Sequence, residues 1–63
     1  MGGMIRFVDV GTVLKAQEVK NGYVYVIEGK NGVYRVFSRR FYDVDSFVYV
    51  YSFGDERYFI SDK

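Results

Sequence analysis

Apolar and polar positions alternate along most of this chain, in short runs separated by glycine-bearing turns. A period of two belongs to β-strands, whose successive side chains point to opposite faces of a sheet. IRFVDV (5–10) alternates in this way, and Gly11 then reads as a kink or break before Thr12. Lys20-Asn21-Gly22 and Lys30-Asn31-Gly32 repeat one tripeptide ten residues apart, each flanked by β-branched and aromatic residues. Asn-Gly is the preferred centre of a type I′ hairpin turn, because both central residues need positive φ. The expectation is a three-strand meander over about 12–20, 23–29 and 33–40.

Two-residue loops fix the register. Centred on Asn-Gly, they place Gln17 opposite Val26, Lys15 opposite Glu28, Val26 opposite Phe37 and Glu28 opposite Arg35. The row Lys15–Glu28–Arg35 then sets a carboxylate between two cations, at roughly 0.2–1 kcal/mol per pair. Neither face of this meander is uniformly apolar, which fits a coiled sheet curling towards a barrel. Gly29 falls beside Tyr34, where a bend or a ring lying over the glycine is expected.

The link from Arg39 to Ser46 has no strong helix signal. A last hairpin follows over 47–53 and 57–62, with Gly54-Asp55 as its two-residue centre or Gly54 within a longer loop. The two-residue centre sets Val50 opposite Phe59 and Tyr51 opposite Tyr58. FVYVYSF (47–53) is apolar on both sides. Val48 and Val50 suit a small interior, whereas tyrosine hydroxyls need partners when buried. Valine is therefore expected inside and tyrosine outside.

Composition sharpens that question. With 63 residues and no Cys, one domain must hold itself together without disulfides, and no His or Cys is present to build the usual zinc site. Seven Tyr and six Phe are more rings than so small an interior hides easily, so some are expected at the surface, covering the core edge or meeting a partner. Oligomerisation is one route to the missing buried surface. Nine Lys and Arg against eight Asp and Glu leave little excess charge, which counts against duplex binding by phosphate neutralisation.

No apolar run approaches the ~20 residues that span a bilayer, and no signal-peptide pattern is present. The expected location is cytoplasmic, with no membrane partner. Met1-Gly2-Gly3 reads as a flexible end or cloning remnant, before a single domain over 4–63. The absence of Cys, His, Trp and Pro has a thermophile-like flavour.

Catalysis is not expected. Ser38, Ser46 and Ser52 stand in no nucleophile motif and have no His as base. Asp43, Asp45, Asp55 and Glu56 read as solvated loop carboxylates, and no phosphate-cradling glycine loop occurs. No cofactor is implied.

The expected fold is a five- to six-stranded antiparallel barrel, OB-like or, alternatively, SH3-like. YVYVIEGKNGVYRVFSRR (23–40) followed by VDSFVYVYSFGDERYFI (44–60) resembles the minimal OB barrel of NfeD-type C-terminal domains, in strand spacing and in the Gly29-centred bend. It departs at Asp45-Ser46, where those domains commonly carry a glycine before the fourth strand. The resemblance speaks to fold, not function.

Two uses of the surface follow. One is a non-catalytic interaction module, self-associating or docking on a protein partner through Phe47, Tyr49, Tyr51, Arg57 and Tyr58. The alternative is single-stranded nucleic-acid binding, with Tyr25, Tyr42, Tyr49 or Tyr51 beside Arg35, Arg39 and Arg40. Rings would stack on bases and guanidinium groups would hold phosphates.

Overall fold

The computed structural model describes residues 4–54 and 57–63. Five strands form one antiparallel sheet: β1 Ile5–Val19, β2 Gly22–Gly29, β3 Val33–Ser38, β4 Phe47–Phe53 and β5 Arg57–Ser61. Their order is β3-β2-β1-β4-β5. The first three strands are a meander and β4 returns to lie beside β1, which is the Greek-key order. β5 then folds back on β4. The edge strands β3 and β5 approach one another without joining in a hydrogen-bonded ladder, so the barrel stays partly open, as OB-type barrels do. The reading of Met1-Gly2-Gly3 as a flexible end lies outside the described residues.

The two strands expected before and after Gly11 are one. β1 runs straight through, and Gly11 pairs with Val48 of β4 on one side and Gly29 of β2 on the other. A Cβ at Gly11 would stand 2.6 Å from Ile27 Cγ2 and 2.8 Å from the Glu28 carbonyl oxygen. Only glycine lets the strands pass so closely. The bend is taken up by register shifts between Phe7 and Asp9 and between Val13 and Lys15. An extra residue at each point curves the strand and increases its twist.

Both meander loops are centred one residue earlier than expected. Val19 pairs with Gly22, so Lys20-Asn21 forms the first turn, and there only Asn21 has positive φ (73°). Gly22 belongs to β2, where the Phe37 ring lies over it, 2.8 Å from where a Cβ would stand. The register moves by two, setting Gln17 opposite Val24, Lys15 opposite Val26 and Val26 opposite Arg35. The charged row Lys15–Glu28–Arg35 is therefore not formed; Val26 stands between the two cations. A shift of two keeps side chains on their faces along β2, β3 and β1 from Lys15 on. Before the irregularity at Leu14 the faces of β1 exchange, which brings Val13 inward.

The last hairpin moves by one. Val50 pairs with Ile60, Tyr51 with Phe59 and Phe53 with Arg57, so three residues separate the strands and Gly54 opens the loop at φ 69°. Asp55 of the expected two-residue centre lies outside the described residues. A slip of one turns each β5 side chain to the other face. Ile60 rather than Phe59 faces inward.

The core is Val13, Tyr25, Ile27, Val36, Tyr42, Val48, Val50 and Ile60. Burying a valine or isoleucine side chain contributes about 1.5–3 kcal/mol. β4 turns Val48 and Val50 inward and leaves Phe47 and Tyr49 outside. The link after β3 docks on β1: Asp45 N donates to the Val13 carbonyl (2.7 Å), and Val13 N donates to the Ser46 carbonyl (2.9 Å). It inserts Tyr42 into the core. Phe41 beside it is 55% exposed and meets Tyr23 edge-on. Among the described residues, no helix is long and apolar enough to cross a membrane.

Candidate interaction surface

Inside the barrel, polar groups are fully engaged. Asp9, in mid-strand, is only 3% exposed. Its Oδ1 accepts from Val10 N (2.8 Å) and Lys30 N (3.1 Å), and its Oδ2 from Asn31 N (2.8 Å) and the Tyr34 hydroxyl (2.9 Å). The second Lys-Asn-Gly loop is thus a cradle of backbone N–H groups for a carboxylate. Gly29 makes room for it, since a Cβ there would overlap the Asp9 carboxylate and stand 2.9 Å from the Tyr34 ring. Burial opposes the charge on Asp9, but donation from Asn31, Tyr34, Val10 and Lys30 outweighs it and holds the pKa below the usual value. The hydrogen bond to Asp9, followed by burial, raises the pKa of Tyr34. Four donors occupy the carboxylate's lone pairs, leaving none to serve as a base.

A second knot ties the link down. The Tyr25 hydroxyl donates to the Arg40 carbonyl (2.8 Å) and accepts from Tyr42 N (2.8 Å). Burial raises the Tyr25 pKa against the opposing Tyr42 N–H. Among the described residues, no buried side-chain polar atom lacks a partner.

The outer face of β1, β4 and β5 is the opposite. Phe7 of β1 meets Tyr49 edge-on at 6.3 Å and Tyr51 at 5.9 Å, and Tyr51 stacks on Phe59 of β5 at 5.6 Å. These rings form a band across three strands. Ile5 and Val10 extend it along β1, Phe47 and Phe53 along β4. Phe7 is 58% exposed, Phe47 77% and Tyr49 41%. None of the six Phe is buried, whereas Tyr25 and Tyr42 are. Single exposed apolar side chains are ordinary, but a contiguous band of them is a candidate contact surface.

Of the residues expected to bind a partner, Phe47, Tyr49 and Tyr51 share this face. Arg57, opposite Phe53, stands at its β5 edge. Tyr58 does not join them: the one-residue shift turns it to the other side, where its ring meets Tyr34 at 5.3 Å across the open seam. The band also contains Phe7, Ile5 and Val10. No local signal in IRFVDV reveals them, because their place depends on β1 pairing with β4, some forty residues away in sequence.

The alternative set divides differently. Tyr25 and Tyr42 are core residues, closed to a stacking base. Arg35 is exposed on β3 and Arg39 in the link. Arg40 pairs with Asp62 at 3.2 Å and lies over the Tyr42 ring, 5.5 Å from its centroid. Tyr25, Arg40 and Tyr42 do come together, but as a clasp that closes the barrel.

A shallow groove lined by Phe37, Phe53, Arg57, Tyr58 and Phe59 runs outside the β3–β5 seam. Among the described residues, no three His, Cys, Asp or Glu side chains gather as a metal site. Compared with known proteins, the chain matches no family model, no curated protein and no solved structure.

Proposed function

We propose that this protein is a non-catalytic interaction module that binds, as a second copy or another protein, through the outer face of β1, β4 and β5. The observation that carries this is the distribution of rings. Phenyl groups, which usually seek the interior, are all outside, and Phe7, Tyr49, Tyr51 and Phe59 touch in one band. Aromatic anchors with few charges are the composition of an interface centre. The buried acidic group is saturated with donors, which supports a structural role for it. Kinship with NfeD-type barrels belongs to this proposal too, on strand spacing and the Gly29 bend.

The test compares immobilised wild-type chain with the Phe47→Ser/Tyr49→Ser variant. Wild type should retain a partner, either this chain or another protein, that the variant releases. Equal retention by both would contradict the assignment of the face.

Single-stranded nucleic-acid binding is the weaker reading, since two of its stacking rings, Tyr25 and Tyr42, lie in the core. Arg35 and Arg39 remain as exposed phosphate-binding groups. Oligonucleotide titration at ~50 mM salt, where a phosphate contribution is strongest, decides it: no binding there removes the idea.

A further inference from the structure

We infer that the β1–β4–β5 face is covered by a second copy of this chain, the two related by a two-fold axis. This rests on the interaction-module reading and names its occupant.

Charge favours a copy. Ile5, Phe7, Val10, Phe47, Tyr49 and Phe53 carry no charge, so a strongly acidic or basic partner would gain nothing from them. The matching surface is equally apolar and uncharged, and this chain presents one. Its net charge of +1 leaves little repulsion between two copies.

The area also fits. These six side chains are between 41% and 77% exposed. At ~150–250 Å² for a whole aromatic side chain, they offer roughly 600 Å² of apolar surface. A standard interface takes about 800 Å² from each partner, a share the band approaches with its half-buried rim of Tyr51 and Phe59.

Relief supplies the complementarity. Phe47 is the most exposed side chain of the face, at 77%. At the β1 edge of the face lies a hollow bordered by Phe7, Val8, Asp9, Val10, Lys30 and Asn31. A knob and a hollow on one patch satisfy each other reciprocally in a two-fold contact, residue i meeting j while j meets i. Tyr49 stands between them, near the centre, where contact energy concentrates.

Sedimentation equilibrium from about 1 µM to about 1 mM spans the affinities that such interfaces show. Wild type should rise from 7.4 kDa towards twice that mass. Tyr49→Ser and Phe47→Ser should weaken pairing by about thirtyfold or more. Arg35→Ser, on the edge strand β3 outside the band, should leave it unchanged. Circular dichroism on each variant confirms the fold.

A dimer indifferent to Tyr49 and Phe47 would overturn the inference, and so would a wild type monomeric throughout. In the monomeric case, fluorescence of the apolar dye ANS separates the two readings. Dye bound to wild type and lost in Tyr49→Ser would sink the self-pairing while leaving the face as a docking surface for another protein. No dye binding would remove both.

Discussion

Tyr25, at the centre of the barrel, has no exposed surface and uses its hydroxyl twice, towards Arg40 and Tyr42. Phe47, on the outside of the same sheet, is 77% exposed. The usual preference, phenyl inside and phenol at the edge, is reversed between these two regions. The reason lies in what each must satisfy. The link from Arg39 to Ser46 crosses the barrel end and would leave backbone groups unpaired where it dips inward. A buried N–H or C=O without a partner is costly, and a phenol fills space while supplying both donor and acceptor. A phenyl group does only the first. On the outer face no backbone needs help, and rings there serve area alone. Polar satisfaction therefore governs the interior, and uncovered apolar area governs the exterior.

The comparison breaks most visibly in the core. Ile27→Ala should cost about 2–5 kcal/mol. A chain of 63 residues at ~0.05–0.15 kcal/mol per residue has little more than that in total, so urea titration should show it largely unfolded. Tyr25→Phe keeps the ring and removes only the hydroxyl. Its expected cost is about 1–3 kcal/mol, because Tyr42 N–H and the Arg40 carbonyl lose their partner. Thermal unfolding unchanged in Tyr25→Phe would show that the phenol merely fills volume.

The Asp9 cradle sharpens the same contrast through pH. Asp9 has a folded pKa below its unfolded value. Its contribution is present above the unfolded value and is lost as pH falls through the folded one, on the acid side of ~4. Tyr34 has a raised folded pKa, so its contribution is complete below the ordinary tyrosine value and is lost as pH rises through the folded one. Stability should be flat around neutrality and decline at both ends. In Asp9→Asn the acid limb should flatten and Tyr34 should titrate at lower pH, read by tyrosine absorbance. An acid limb unchanged in Asp9→Asn would assign it to other carboxylates.

At the outer face the effect on folding should be smallest. Tyr49→Ser, measured on dilute protein, should change stability by no more than about 0.5 kcal/mol. A loss comparable with that of Tyr25→Phe would mean that the band closes the barrel instead of awaiting a partner.

The strands themselves were legible. Alternation in FVYVYSF correctly sends Val48 and Val50 inward, and the Lys-Asn-Gly repeats mark real turns. Register was not legible. The turns are centred on Lys-Asn, because Gly22 is used inside β2 beneath Phe37 and Gly29 makes space for Asp9. Both demands come from distant strands. Asp9 itself leaves a faint trace, an aspartate in a run of strand formers where that residue is depleted. Its partners, Lys30, Asn31 and Tyr34, lie more than twenty residues on. The buried phenols escaped notice for a similar reason: nothing local tells which Tyr the link will cover. The aromatic band was half visible, as the β4 side alone.

The most direct measurement of the central claim is isotope-filtered NMR on an equal mixture of labelled and unlabelled chain at high concentration. Contacts between copies should link Phe47 of one to Phe7 and Val10 of the other, with Tyr49 close to the axis. Intermolecular signals confined to the Val24–Phe37 side, or none at all, would contradict it.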